Sequence, residues 1–221
     1  ALWLERAGES PWLKAEARAI APPAAIALQG AAQAFALDIK TASLLDLATT
    51  TPAIVVLEQN GRRETALFAS GADFHRFVAA GPAQLTIYAA HDGALSGAAA
   101  LGFTAPLEAR EGVGAPVALA PGASALFGFD VAKEGDIGIG LRAEPDRATA
   151  RLIDANGALL GEGVSLMRRL KPGRYWLEAR APADAALVAR PAFVGLAPPP
   201  AAPPQEEIES LLEKAGLKAT K

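Results

Sequence analysis

The sequence predicts an all-β protein of two tandem antiparallel β-sandwiches, jelly-roll or immunoglobulin-like, with a proline-rich linker and a short C-terminal amphipathic helix. Three observations predict it. First, the chain repeats itself: Ala34-Phe35-Ala36-Leu37-Asp38-Ile39 returns 92 positions later as Leu126-Phe127-Gly128-Phe129-Asp130-Val131. Second, apolar residues in these segments alternate with small or polar ones at a period of two, the spacing of a strand with one buried face. Third, turn residues recur about every eight to twelve positions without helical sequence between them, as in a sandwich. The 221 residues suffice for two ordinary domains.

The expected organisation is an N-terminal strand pair over 1–23, one sandwich over 24–107, a second over 108–197, a linker over 198–204 and a helical tail over 205–221. Leu2-Trp3-Leu4-Glu5-Arg6 resembles Tyr175-Trp176-Leu177-Glu178-Ala179. The opening segment therefore reads either as the remnant of a third copy or as a strand pair docked on the first sandwich.

In copy one the first strand carries Phe35, Leu37 and Ile39 on its core face, and in copy two Phe127, Phe129 and Val131. The next strand is Leu44–Leu47 in copy one and Ile137–Leu141 in copy two. Gly138 and Gly140 on its outer face predict a bulge or a close backbone approach. Gln59-Asn60-Gly61-Arg62 and Ala155-Asn156-Gly157-Ala158 both predict type I′ hairpins, because Asn and Gly tolerate positive φ. Glycine turns at Gly81 and Gly173 lead into Leu85–Tyr88 and Tyr175–Ala179. Closing strands are expected at about Ala98–Ala105 and Ala185–Leu196. All pairing is expected to be antiparallel, since parallel pairs need long crossovers and no crossover helix is encoded.

The prolines of Ala197–Pro204 predict an extended spacer. Beyond it, Ile208, Leu211, Leu212 and Ala215 fall on one helical stripe. About twelve residues is too short for a helix stable by itself in water, so this one should dock on something.

Composition excludes several functions. Hydrophobic residues make up 51%, many of them alanine, which predicts cores of small side chains. The net charge of −3 and the absence of a basic stripe leave no electrostatic footprint for nucleic acid. Without cysteine there are no disulfides, thiolate metal sites or thiol nucleophiles. No apolar run has the length of a membrane-spanning helix. The chain opens on Ala1, which implies a removed signal peptide or a piece of a longer polypeptide. The Ala, Gly and Arg bias suggests a bacterial source, and the expected location is the periplasm or the cell exterior.

Two histidines limit acid–base chemistry. His75 lies near Ser70 and Asp73, but a triad needs groups converging from different elements, and copy two has Met167 in the matching stretch. An exposed or capping His75 and a solvated His91 are the expected states. No cofactor is expected; calcium is the one metal considered, with Asp130, Glu134, Asp136 and Asp154 in copy two and Asp38, Asp46 and Glu58 in copy one, although their spacing matches no calcium loop. Trp176 lies between Tyr175 and Leu177, both core positions, so it should point outward, to a partner, a neighbouring domain or a glycan. Trp176 and the stripe Ile208, Leu211, Leu212 and Ala215 are the candidate partner-binding residues.

The runs Phe127–Val131, Ala150–Leu160 and Leu170-Lys171-Pro172-Gly173-Arg174-Tyr175-Trp176-Leu177 resemble the bacterial pre-peptidase C-terminal domain family. That family's pattern is an aromatic-rich strand, a leucine-aspartate-x-x-glycine hairpin and a proline-glycine-x-tyrosine strand. Copy one keeps it less fully, with Gln59 in place of the aspartate. The resemblance implies sandwiches, often in tandem and attached to exported proteins, with no shared catalytic set. The functional expectation is a non-catalytic structural or binding module making protein–protein contacts in a larger assembly. The alternatives are a carbohydrate or cell-surface binding module and the accessory region of a secreted peptidase.

Overall fold

A computed structural model describes residues 16–68, 73–90, 94–196 and Lys214. Copy one contributes β1 (Ala17–Ala19), β2 (Ala24–Ala27), β3 (Ala32–Ile39), β4 (Ser43–Thr49), β5 (Ala53–Gln59), β6 (Arg62–Phe68), β7 (Asp73–Val78), β8 (Gly81–Ala89) and β9 (Ala98–Thr104). Copy two contributes β10 (Leu107–Glu108), β11 (Gly112–Val113), β12 (Val117–Leu119), β13 (Ser124–Val131), β14 (Gly135–Glu144), β15 (Thr149–Asp154), β16 (Leu159–Glu162), β17 (Ser165–Leu170), β18 (Gly173–Arg180) and β19 (Leu187–Val194).

Each copy is two sheets. The first sheet runs β1-β3-β8-β5-β6 in copy one and β10-β13-β18-β15-β16 in copy two. The second runs β2-β9-β4-β7 and β11-β19-β14-β17, with β12 also paired to β19. Strand for strand the orders match, so the repeat read in the sequence is a repeat of topology.

The expectation of purely antiparallel pairing needs correction. β1 lies parallel to β3, and β10 parallel to β13. No crossover helix is needed, because the chain passes through the opposite sheet, as β2 in copy one and as β11 and β12 in copy two, before returning. Ala17–Ala19 thus occupies in copy one the place that Leu107–Glu108 holds in copy two. The rest of the expected opening strand pair, through residue 15, lies outside the described residues.

Period-two patterning builds the two cores. Phe35, Leu37 and Ile39 of β3 meet Leu85 and Ile87 of β8 and Leu45 and Leu47 of β4. Phe127, Phe129 and Val131 meet Ile137, Ile139, Leu177 and Phe193 in copy two. The largest buried side chains are Phe, Ile and Leu, so the alanine-rich composition does not make small-residue cores. At about 25 cal/mol per Å2 of apolar surface, large side chains supply most of the hydrophobic stabilisation.

The hairpins differ. Asn60 and Gly61 take φ of 51° and 73° and join β5 to β6, as a type I′ turn requires. In copy two only Gly157 of the Asn-Gly pair has positive φ, at 84°. There the Asp154 carboxylate accepts the backbone N–H groups of Asn156 at 2.9 Å and Ala158 at 2.7 Å, which holds a wider turn open. Gly138 and Gly140 mark no bulge either; β14 stays in continuous register with β17 and β19 on both sides.

Candidate protein-interaction surfaces

The outward faces of the strands carry the functional interest. In β4, Leu45 and Leu47 turn to the core of copy one, which turns Leu44 outward. In β13, β15 and β18 the same parity turns Leu126, Ile153 and Trp176 away from the core of copy two. These residues meet, and Ala42, Leu44, Leu126, Ile153 and Trp176 form a third buried cluster against which Phe77 packs. The outer face of the second sheet of copy one therefore sits on the outer face of the first sheet of copy two.

Trp176 is the centre of this seam. It points away from its own core, as the alternation predicts, yet is only 7% exposed. The Phe77 ring lies 5.9 Å from it, centroid to centroid. The Arg174 guanidinium lies over the indole at 4.6 Å, a cation–π contact. Arg174 in turn donates to Asp130 at 2.9 Å and to Glu108. As a partner-binding residue Trp176 is thus corrected: its surface is occupied by the neighbouring sandwich. The stripe Ile208, Leu211, Leu212 and Ala215 lies outside the described residues.

Beside the apolar cluster runs a charged cleft of about 370 Å3, lined by Glu64 and Arg76 of copy one and Thr149, Arg151, Glu162, Glu178 and Arg180 of copy two. Arg76 pairs with Glu64 at 3.2 Å, and Arg151 with Glu178 at 3.4 Å and Glu162 at 3.5 Å. Glu178 is 3% exposed. Burial pushes its carboxyl above the ordinary value, while Arg151, Arg76 and Arg180 draw it back and Glu64 adds to the rise. Acid and base balance in the cleft, and its lining includes no histidine; it can clamp two domains or hold a polar group. Further along the seam, Arg62 of copy one donates to the Gly157 carbonyl in the wider turn of copy two.

His75 is half-buried, not exposed, and its Nδ1 lies 2.5 Å from Asp46 Oδ1 on the paired strand. The Thr104 hydroxyl donates to the other Asp46 oxygen. A base–carboxylate pair needs a nucleophile on the free imidazole nitrogen to act as a triad. Thr104 instead approaches the carboxylate, which makes the arrangement a cross-strand tie. Ser70 and His91 lie outside the described residues.

Six of the seven carboxylates considered for calcium, all but Asp136, make other contacts. Asp38 pairs with Lys40, Glu58 with Arg63, Asp130 with Arg174 and Glu134 with Arg169. Asp154 caps its turn and Asp46 holds His75. Among the described residues no three potential metal ligands gather.

Among the described residues an apolar face is exposed on copy two. On the outer side of the second sheet of copy two, Val113, Met167 and Val194 are 73%, 66% and 65% exposed. Gly138 lies between Met167 and Val194 in register, and Gly140 between Ser165 and Ala192, which leaves a flat floor. Arg142 and Arg190 stand directly opposite one another beside it, both exposed. In copy one the corresponding face is the one that enters the seam. Its Leu44–Phe77 pair is matched in copy two, 92 positions on, by the pair Asp136–Arg169. Sequence reasoning missed this face because Val113, Met167 and Val194 come from three strands that only the pairing brings together.

No family model matches the chain, and no curated protein matches it. Among solved structures it is similar to the pre-peptidase C-terminal domain of a collagenase from Bacillus anthracis, at 16% identity over 41% of this chain and 97% of that one, with a TM-score of 0.35. It is also similar to tripeptidyl peptidase 2, at 14% identity over 80% of this chain and 24% of that one, TM-score 0.32. A third is the CUB1-EGF-CUB2 region of rat MASP-1, at 5% identity over 79% of this chain and 99% of that one, TM-score 0.31. The chain thus spans about a quarter of the length of tripeptidyl peptidase 2. At these scores the fold rests on the strand pairing above. No helix among the described residues is long and apolar enough to cross a membrane.

Proposed function

We propose that the chain is a non-catalytic binding module of an exported bacterial protein, holding a protein partner on the outer face of the β11-β19-β14-β17 sheet. The observation that carries this reading is the exposed trio Val113, Met167 and Val194 over the glycine floor of β14. Large apolar side chains gathered on one surface and rimmed by charge are the usual mark of a contact site. The two sandwiches already associate through outer sheet faces, so the fold uses such surfaces for docking. Two opposed arginines at its margin repel each other and favour a partner that brings a carboxylate. The glycan reading loses its support at Trp176, which is only 7% exposed, with Arg174 over its ring and Phe77 packed beside it.

A photo-cross-linking residue placed at Met167, in cells that make the protein, tests this. We expect one defined protein adduct, lost in a Val194→Glu, Arg142→Glu variant, and none from the same probe at Asp38. Equal adducts from both positions, or none from Met167, reject the reading. Fractionation of the same cells tests export, with recovery in the cytosol alone as the contrary result.

A further inference from the structure

Across the exposed face of copy two, size and charge both invert about one residue of β14. Ile137, Ile139 and Leu141 turn into the core, which turns Asp136, Gly138, Gly140 and Arg142 outward. A register row lies on either side of Ile139. Met167, Gly138 and Val194 form one, with large side chains flanking the glycine. Ser165, Gly140 and Ala192 form the other, with small ones in the same places. Charge follows the same division. Asp136 stands three positions before Ile139 and Arg142 three after it, the latter opposite Arg190. Asp136, Arg142 and Arg190 are exposed, and none makes a side-chain hydrogen bond or ion pair among the described residues. Arg169, opposite Asp136, is held by Glu134 instead.

Resting on the reading of this face as a contact site, we propose that its partner is a second molecule of this chain, docked face to face with antiparallel strands about a twofold axis at Ile139. A half turn about an axis in the plane of the face and across the strands exchanges positions 138 and 140. Met167 and Val194 of each molecule then stand over Ser165 and Ala192 of the other, and the two glycine floors meet. The same turn sets Arg142 over Asp136 twice, once at each end. Each molecule thereby supplies the carboxylate that the opposed arginines favour. At about 3.4 Å per residue these charges lie about 10 Å from the axis. Packed sheets cross at about 30°, which shifts the charged ends sideways by about 5 Å, close to one strand spacing. That displacement is within the reach of Arg142 or, one strand over, of Arg190. Because the same surface serves both molecules, the contact closes on itself and yields a dimer. The strands β11, β19, β14 and β17 over positions 136–142 make a face of roughly 450 Å2 per molecule, at about 4.8 Å per strand and about 3.4 Å per residue. A standard interface buries about 800 Å2 per partner, so this dimer should be weak, with a Kd in the micromolar range.

Analytical ultracentrifugation of the purified full-length protein tests this. The native chain should self-associate at micromolar concentration. Asp136→Arg, and separately Arg142→Asp with Arg190→Asp, should each weaken association by about tenfold or more, since like charges then face each other at both ends. An equimolar mixture of the two variants should recover it, because both ends of the mixed dimer are complementary again. A substitution that merely disturbed the sheet would not be repaired by mixing. The proposal is overturned if the native protein stays monomeric at hundreds of micromolar, far above the expected Kd, or if the mixture associates no more tightly than either variant alone. The photo-cross-link at Met167 separates the dimer from the reading it rests on. An adduct of twice the chain mass supports both. A single protein adduct of any other mass upholds the contact site and overturns the dimer, and no adduct rejects both.

Discussion

Gly128 lies directly opposite Trp176 in the β13–β18 pair, and the indole rests where a side chain at 128 would stand. A Cβ there would come within 3.0 Å of both the Arg174 guanidinium and the Trp176 ring. Glycine is thus required by close approach and not by φ. Gly128→Ala should push the indole toward Phe77 and cost about 1–3 kcal/mol, the usual range for overpacking. Urea unfolding measures it, and an unchanged midpoint would show that the seam can yield.

Trp176 itself should be the most sensitive position of the seam. Truncation to alanine is expected to cost about 3–5 kcal/mol, as for other buried aromatics. Its Nε1 is buried without a hydrogen-bond partner among the described residues. Trp176→Phe, which removes that N–H and keeps an aromatic ring, should therefore cost much less. Calorimetry gives a second readout: separate transitions for the two sandwiches are expected in Trp176→Ala and not in Trp176→Phe.

Glu178 gives the seam a pH dependence of definite sign. Because burial raises its folded-state pKa, the folded protein binds a proton that the unfolded chain has already released. This contribution is fully present below the ordinary glutamate value, about 4.3, and is lost as pH rises through the raised value. Glu134 and Asp184 act in the opposite sense. Hydrogen bonds from Arg169 and Arg147 hold them below the ordinary range, so their contribution is lost as pH falls. The difference in unfolding free energy between the native protein and Glu178→Gln should thus isolate Glu178, with native stability declining relative to the variant as pH rises above about 4.3. A flat difference would mean that Arg151 compensates the buried charge in full.

The two hairpins should respond differently to equivalent changes. Asn60→Ala puts at φ 51° a residue without asparagine's tolerance of the left-handed region and should cost about 1–2 kcal/mol. Asn156→Ala should cost little, since Asn156 keeps negative φ and only its backbone N–H is used. Asp154→Ala should cost about 1 kcal/mol by releasing two backbone N–H groups. Thermal melts of the three variants check the order.

The strands, the duplication and the outward direction of Trp176 were legible because period-two parity is a local property. The seam left a local mark too. Leu44-Leu45 and Ala125-Leu126-Phe127 are apolar on both sides of their strands, which means both sides are covered. What covers each side is a long-range fact that no spacing encodes. The parallel edges escaped because β1 and β10 have only three and two residues, too few to show a period. The second turn followed the Asp154 carboxylate, which competes with the Asn-Gly preference. The Asp46–His75 tie and the face of Val113, Met167 and Val194 depend on register between strands distant in sequence.

Copy one meets copy two through unlike surfaces, a head-to-tail contact of the heterologous kind. Such a contact, applied again and again, adds units without closing on itself and grows a fibre. The second sheet of copy two does not carry that contact onward. Where copy one brings Leu44 and Phe77, copy two brings Asp136 and Arg169, with Arg169 held by Glu134 at 2.9 Å. Seating those charges in an apolar socket would strip their water at a cost of several kcal/mol per ion. Two positions on paired strands therefore decide whether the outer face of this sheet can enter such a socket.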